Sequence, residues 1–248
     1  MGIMRCHRNR TVVGIIVGTF LICGMFIQSE ATANQQSTHL IDPGQEELFP
    51  LPASLRPAVE FWCKTFSEWR MDQVVLHDEE HLGVIYRILE IPGPVDEGLT
   101  VSQRQWVRSQ ETLLASELSS VYSDLAAGRR LDKDGQELAN AIERGNGRIE
   151  GASGRVRSQR GVRERFLRGL EISGGYIDWF REAFRSQGLP EDLAYLPHVE
   201  SSFSNSAKSS VGAAGMWQFM PSTARLFMTV DSAVDERLNP VTAARSAA

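Results

Sequence analysis

Glu200 opens a stretch whose residue types suit chemistry better than packing. Residues 200–224 read ESSFSNSAKSSVGAAGMWQFMPSTA: a carboxylate, a run of hydroxyls, a Gly-Ala-Ala-Gly step at 212–215, then Met216, Trp217 and Gln218. A carboxylic acid that stays protonated near neutral pH can give its proton to a leaving oxygen. Two features favour such an acid here. The apolar spacing of Leu193, Leu196 and Val199 predicts a helix from about Pro190 to Phe203, which places Glu200 near the carbonyl end, where the dipole does nothing for a carboxylate. Its neighbours Val199 and Phe203 are apolar, which disfavours the charged form. Taken alone, these residues more often mark a solvated or ion-paired surface glutamate than a catalytic one.

The glycines at 212 and 215 remove side chains where a backbone must approach a ligand or the acid. Met216, Trp217 and Gln218 then combine an apolar stacking face with a bidentate amide, as sugars require: flat faces for the ring, and amides or hydroxyls for its substituents. A tight turn between helices with Trp217 buried accounts for the same residues. A second cluster, His77, Asp78, Glu79, Glu80 and His81, pairs two histidines with carboxylates. It lacks the His-Glu-x-x-His order, and it falls in a strand-and-turn context that does not align both imidazoles, so no metal is expected.

The pattern Glu200-Ser201-x-Phe203, Ala207-x-Ser209, Gly212-Ala213-x-Gly215-Met216-x-Gln218-x-Met220-Pro221-x-Thr223-Ala224 resembles the catalytic signature of the lytic transglycosylases with the goose-lysozyme-like (SLT) fold. The preceding LPEDLAYLPHVESSF and the lead-in from about Arg155 are similar to the membrane-bound lytic murein transglycosylase D branch. That resemblance implies cleavage of the MurNAc-β-1,4-GlcNAc bond of peptidoglycan without water, leaving 1,6-anhydromuramic ends. It implies Glu200 as the single general acid and base, Ser209 as a hydrogen-bonding group near the acid or substrate, Gly215 and Met216 as cleft lining, and Gln218 as a holder of glycan or peptide substituents. It implies no cofactor.

A lone acid agrees with the residues, because paired-carboxylate hydrolysis needs a second Asp or Glu across the bond. Glu191 and Asp192 are expected two turns or more back along the helix of Glu200. The family usually has Asn/Asp-Pro where this chain has Ser204-Asn205. It also continues with further helices and an Ala-Tyr-Asn-x-Gly motif, which residues 240–248 do not contain, so a C-terminally truncated domain is expected. The alternatives are a non-catalytic peptidoglycan-binding or cell-wall scaffold protein retaining half of the glycan groove, and a helical envelope protein whose glycines only pack.

The elements that must position these residues read as mainly α, an incomplete lysozyme-like domain preceded by a helical region with one β-hairpin. Residues 53–152 form the first region and 153–248 the second. In the first, Val59, Trp62, Cys63, Phe66 and Trp69 fall on one helical face, and two β-branched runs within 74–91 predict the hairpin. Helices are expected over 105–127, 132–144 and 161–187, the last with a possible break at Gly174-Gly175, and Asn239-Pro240 predicts a further helix start.

At 248 residues and 42% hydrophobic content the chain can bury a sizeable core, and a net charge of −5 without a basic cluster argues against nucleic acid as a partner. Arg5, Arg8 and Arg10 precede an apolar run at 11–27, and Ala31-Thr32-Ala33 follows. This layout predicts a signal peptide over 1–33, or an uncleaved anchor, then a polar linker at 34–52. The expected place is the periplasm or cell envelope. Removal of 1–33 leaves Cys63 as a lone thiol.

Overall fold

A computed structural model describes residues 48–248. The expected signal peptide or anchor, and most of the expected linker, lie outside the described residues. Among the described residues, no helix is long and apolar enough to cross a membrane. The fold is mainly α with one small sheet. Two compact units divide it: Pro52–Glu164, and a second that holds Arg165–Ala248.

In the first unit, α1 (Arg56–Ser67) follows a single 3-10 turn, Ala53–Leu55. Its buried face carries Ala58, Val59, Phe61 and Phe66, whereas Trp62 and Cys63 are only half-buried. The face is therefore rotated toward Phe61, which the expected stripe left out; its ring meets Trp69 edge-on at 5.3 Å. Strands β1 (Gln73–Asp78) and β2 (Ile85–Glu90) form the antiparallel hairpin, with Val75 opposite Ile88 and an irregularity at Leu76/His77. A third strand, β3 (Val156–Arg160), pairs with the other edge of β1 and makes the order β2-β1-β3.

Helix α2 (Val101–Ala126) starts at a capping box in which Thr100 and Gln103 satisfy each other's backbone N–H groups. Helix α3 (Lys133–Arg144) starts at Asp132, whose side chain accepts from Gly135 N. Leu114, Leu118 and Val121 of α2 pack with Leu138 and Ile142 of α3 and with Leu76 and Tyr86 of the sheet.

The second unit begins within α4 (Arg163–Ser173), and Gly174-Gly175 separates that helix from α5 (Ile177–Ser186). One long helix over 161–187 is thus two. Gly188, at φ 69°, ends the α5 segment. A 3-10 stretch, Glu191–Tyr195, leads into α6 (Pro197–Glu200), a single turn. After α6 come α7 (Pro221–Ala224), a 3-10 turn Glu236–Leu238, and α8 (Pro240–Ala247), capped by Asn239 accepting from Val241 N and Thr242 N. Phe180 and Phe184 of α5 form a core with Phe203, Met216, Trp217, Ala224, Ala243 and Ala244.

Candidate active site

The segment before Glu200 differs from the single helix that its apolar spacing predicts. Pro197 cannot supply a backbone N–H, so the preceding turn stays 3-10 and only Pro197–Glu200 winds as α. The helix ends at Glu200, three residues short of Phe203. Ser202 and Phe203 then adopt left-handed backbone, φ 53° and 55°. Such a conformation costs a non-glycine residue about 1–2 kcal/mol. Packing holds it: Phe203 is fully buried, stacked on Phe180 at 5.8 Å and 4.4 Å from the His198 ring, and its N–H donates to Pro197 O. Gly169 of α4 lets that turn come close, since a Cβ there would stand 2.8 Å from Ser202 O.

Glu200 is open to solvent on one side, while protein crowds its carboxyl on the other. That desolvation pushes the pKa above the ordinary glutamate value, with no neighbouring charge behind the shift. In a one-turn helix the dipole is small, so burial and not the helix end is the physical cause. Glu191 behaves differently: Arg185, then Arg181, hold it below the usual range, and both guanidinium groups bond its carboxylate. His198, 2% exposed, is driven down to about 3 by burial and stays neutral.

The residues after Glu200 close into a compact loop. Ser209 and Ala213 exchange two hydrogen bonds, Ser209 N to Ala213 O and Ala213 N to Ser209 Oγ, both 2.9 Å. Gly215 N donates to Ala207 O at 3.0 Å, and Ala214 N to Phe219 O at 3.2 Å. Gln218, itself at φ 47°, donates its side-chain amide to Gly215 O at 2.8 Å and Ala207 O at 3.2 Å. Ser209, Gly215 and Gln218 therefore belong to one hydrogen-bonded unit. Met216 joins it to the acid's neighbour: Ser201 Oγ donates to Met216 O at 2.8 Å.

The Met216 side chain is 2% exposed and lies in the core. Trp217 is not the stacking surface that its sequence context suggested. Its ring packs against Phe180 at 5.2 Å and Phe184 at 5.7 Å and is 8% exposed, because the core between α5 and α8 needs a large aromatic there. Arg237 escaped the sequence reading altogether. It is buried, it forms a fork with Asp235, and its Nη1 donates to Gly212 O and Phe219 O. The one signal was an arginine two residues after Asp235 and two before Asn239-Pro240.

In the first unit, Asp78 is 1% exposed and accepts from Arg155 Nε, Tyr86 Oη and the backbone N–H groups of Glu80 and His81. Burial alone would raise its pKa; these donors hold it below the usual aspartate value. A carboxylate so occupied braces the sheet to the turn at 79–81, and no group of three possible metal ligands occurs among the described residues.

Comparison with known proteins bears on the second unit. A family model described as the transglycosylase SLT domain matches residues 178–248. Two curated relatives, the membrane-bound lytic murein transglycosylase D of Escherichia coli strain K12 and that of Escherichia coli O6:H1 (strain CFT073), are each 42% identical to this chain over 50 residues. Those residues are 20% of this chain and 11% of each relative. No solved structure matches the chain.

Proposed function

We propose that this chain is a lytic transglycosylase acting on peptidoglycan, with Glu200 as its single general acid and base, a reading supported by the match of residues 178–248 to the transglycosylase SLT domain model. The observation that carries this reading is the Glu200 carboxyl itself: its pKa is raised by desolvation alone, and it stands beside a loop locked to Ser201. An acid in that state keeps its proton to higher pH than an ordinary glutamate and can give it to a leaving oxygen.

The proposed reaction needs no second carboxylate. Glu200 protonates the glycosidic oxygen between MurNAc and GlcNAc, and the bond from that oxygen to the muramoyl anomeric carbon breaks with its electron pair leaving on oxygen. The muramoyl C6 hydroxyl attacks the same carbon from within the sugar, and its proton passes to the Glu200 carboxylate. The acid is restored, no water is consumed, and the product carries a 1,6-anhydro ring. The substrate's own N-acetyl group shares the charge that an enzyme nucleophile would otherwise take. An internal nucleophile gains the orientation advantage of intramolecular attack.

The rest of the loop serves binding. Gln218 spends its amide N–H groups on the loop, which leaves its carbonyl oxygen to accept from a glycan N–H or hydroxyl. Ser209 and Gly215 keep the backbone compact where the sugar passes, and Met216 anchors the loop from the core. For its place we propose the periplasm or cell envelope, with or without a membrane anchor, a reading supported by the relatives' description as membrane-bound and by the basic-apolar N-terminal layout.

Incubating the purified chain with peptidoglycan sacculi, and analysing the soluble products by mass spectrometry, tests the proposal. Anhydromuropeptides are expected from the parent and not from Glu200→Gln. If neither releases them while both sediment with sacculi, the protein is a glycan-binding one and the catalytic reading is wrong.

A further inference from the structure

Resting on the transglycosylase reading above, we infer that Arg237 is a positioning residue for substrate binding, holding both ends of the loop 212–219 in the shape that receives the glycan. The guanidinium is nearly enclosed, with 9% of its side chain accessible. Its Nε and Nη2 donate to the two oxygens of Asp235 at 2.8 and 2.7 Å, which fixes the plane of the group. The remaining nitrogen, Nη1, is thereby aimed at two carbonyls of the loop, Gly212 O at 2.8 Å and Phe219 O at 3.0 Å.

Those carbonyls stand at opposite ends of the segment that carries Gly215, Met216 and Gln218. One side chain therefore closes a loop whose other bonds are short-range within 207–219, apart from the link from Ser201 to Met216. The backbone of Arg237 adds a second restraint. Its carbonyl oxygen fills the place of a Cβ on residue 215, so the loop rests directly on the turn Glu236–Leu238. A lysine could keep the charge, but it presents no planar fork to Asp235 and cannot direct one nitrogen between the two carbonyls.

The test uses the whole chain. Glu200→Gln, which is expected to bind without cutting, is compared with the double variants Glu200→Gln/Arg237→Gln, Glu200→Gln/Arg237→Lys and Glu200→Gln/Asp235→Asn. Each is assayed for binding to soluble uncrosslinked glycan strands and for amide hydrogen exchange. The inference predicts that Arg237→Gln weakens binding by roughly tenfold or more. Faster exchange should be confined to 207–219, with α5 still protected. Arg237→Lys should recover part of the loss, and Asp235→Asn, which removes the ionic fork that aims the guanidinium, should weaken binding in the same direction as Arg237→Gln. Unchanged binding by the Arg237→Gln variant overturns the inference, as does a loss accompanied by faster exchange throughout α5. So does an Asp235→Asn variant that binds as tightly as Glu200→Gln alone. These results leave the transglycosylase reading standing if the parent chain still releases anhydro products. A parent that neither binds nor cuts overturns that reading, and this role with it.

Discussion

Ser201 Oγ donates a 2.8 Å hydrogen bond to the carbonyl of Met216, joining the residue after Glu200 to the centre of the loop that follows it in sequence. Both residues are buried. The bond crosses 15 residues of chain and turns a helix end and a loop into one unit. Ser201→Ala leaves a buried carbonyl without that donor, which costs about 1 kcal/mol. Thermal denaturation should show that modest loss, while the initial rate of anhydromuropeptide release from sacculi falls by a larger factor. Equal rates in variant and parent would show that the link does not matter to catalysis.

Glu200 should destabilise the folded chain at neutral pH. Its folded-state pKa lies above 4.5, so the unfolded chain releases the proton more readily, and folding is penalised as pH rises through the folded value. Glu200→Gln is therefore expected to melt at a higher temperature than the parent at pH 7. Below pH 4.5, where the parent acid is protonated in both states, the two should melt alike. A variant less stable than the parent at pH 7 contradicts a desolvated acid.

His198 sets a second pH dependence, of opposite sign. Burial lowers its pKa from 6.5 to about 3, so the unfolded chain binds the proton more readily between those values. Its part of the stability is intact above pH 6.5 and is lost progressively as pH falls toward 3. His198→Phe keeps an aromatic ring among Phe166, Tyr195 and Phe203 and removes the titration. Melting curves from pH 7 to pH 4 should show a flatter decline in the variant; parallel declines would refute the assignment.

Gly215 cannot carry a side chain. A Cβ would lie 1.9 Å from the Arg237 carbonyl oxygen, and the residue sits at φ 78°, where L residues are strained. Gly215→Ala should cost about 1–3 kcal/mol through that overlap. It should also lower product release further than Ser201→Ala, because it lifts the loop off its support. Denaturant titration and the sacculus assay measure the two effects.

The sequence made some of this legible and hid the rest for physical reasons. The hairpin showed because Val74, Val75, Ile85 and Ile88 are β-branched residues bounded by an acidic turn. Strand β3 did not, since Val-Arg-Ser-Gln-Arg has one apolar residue and joins the sheet through backbone pairing with β1. The break at Gly174-Gly175 was visible in residue type. The 3-10 stretch before Pro197 was not, because its apolar spacing also fits an α-helix. Around Glu200, the apolar character of Val199 and Phe203 was readable from local context. The burial of Trp217 depends on Phe180 and Phe184, more than 30 positions earlier. Arg237 acts on Gly212 across 25 residues, a relation that no local pattern carries.

The most direct measurement is digestion of purified glycan strands in water enriched in oxygen-18, with mass analysis of the new muramic ends. An acid that works with the sugar's own C6 hydroxyl predicts anhydro ends without label, formed by the parent chain and absent with Glu200→Gln. Labelled reducing ends would mean that water attacks the anomeric carbon, and unlabelled anhydro ends formed equally by the Gln variant would mean that Glu200 is not the acid.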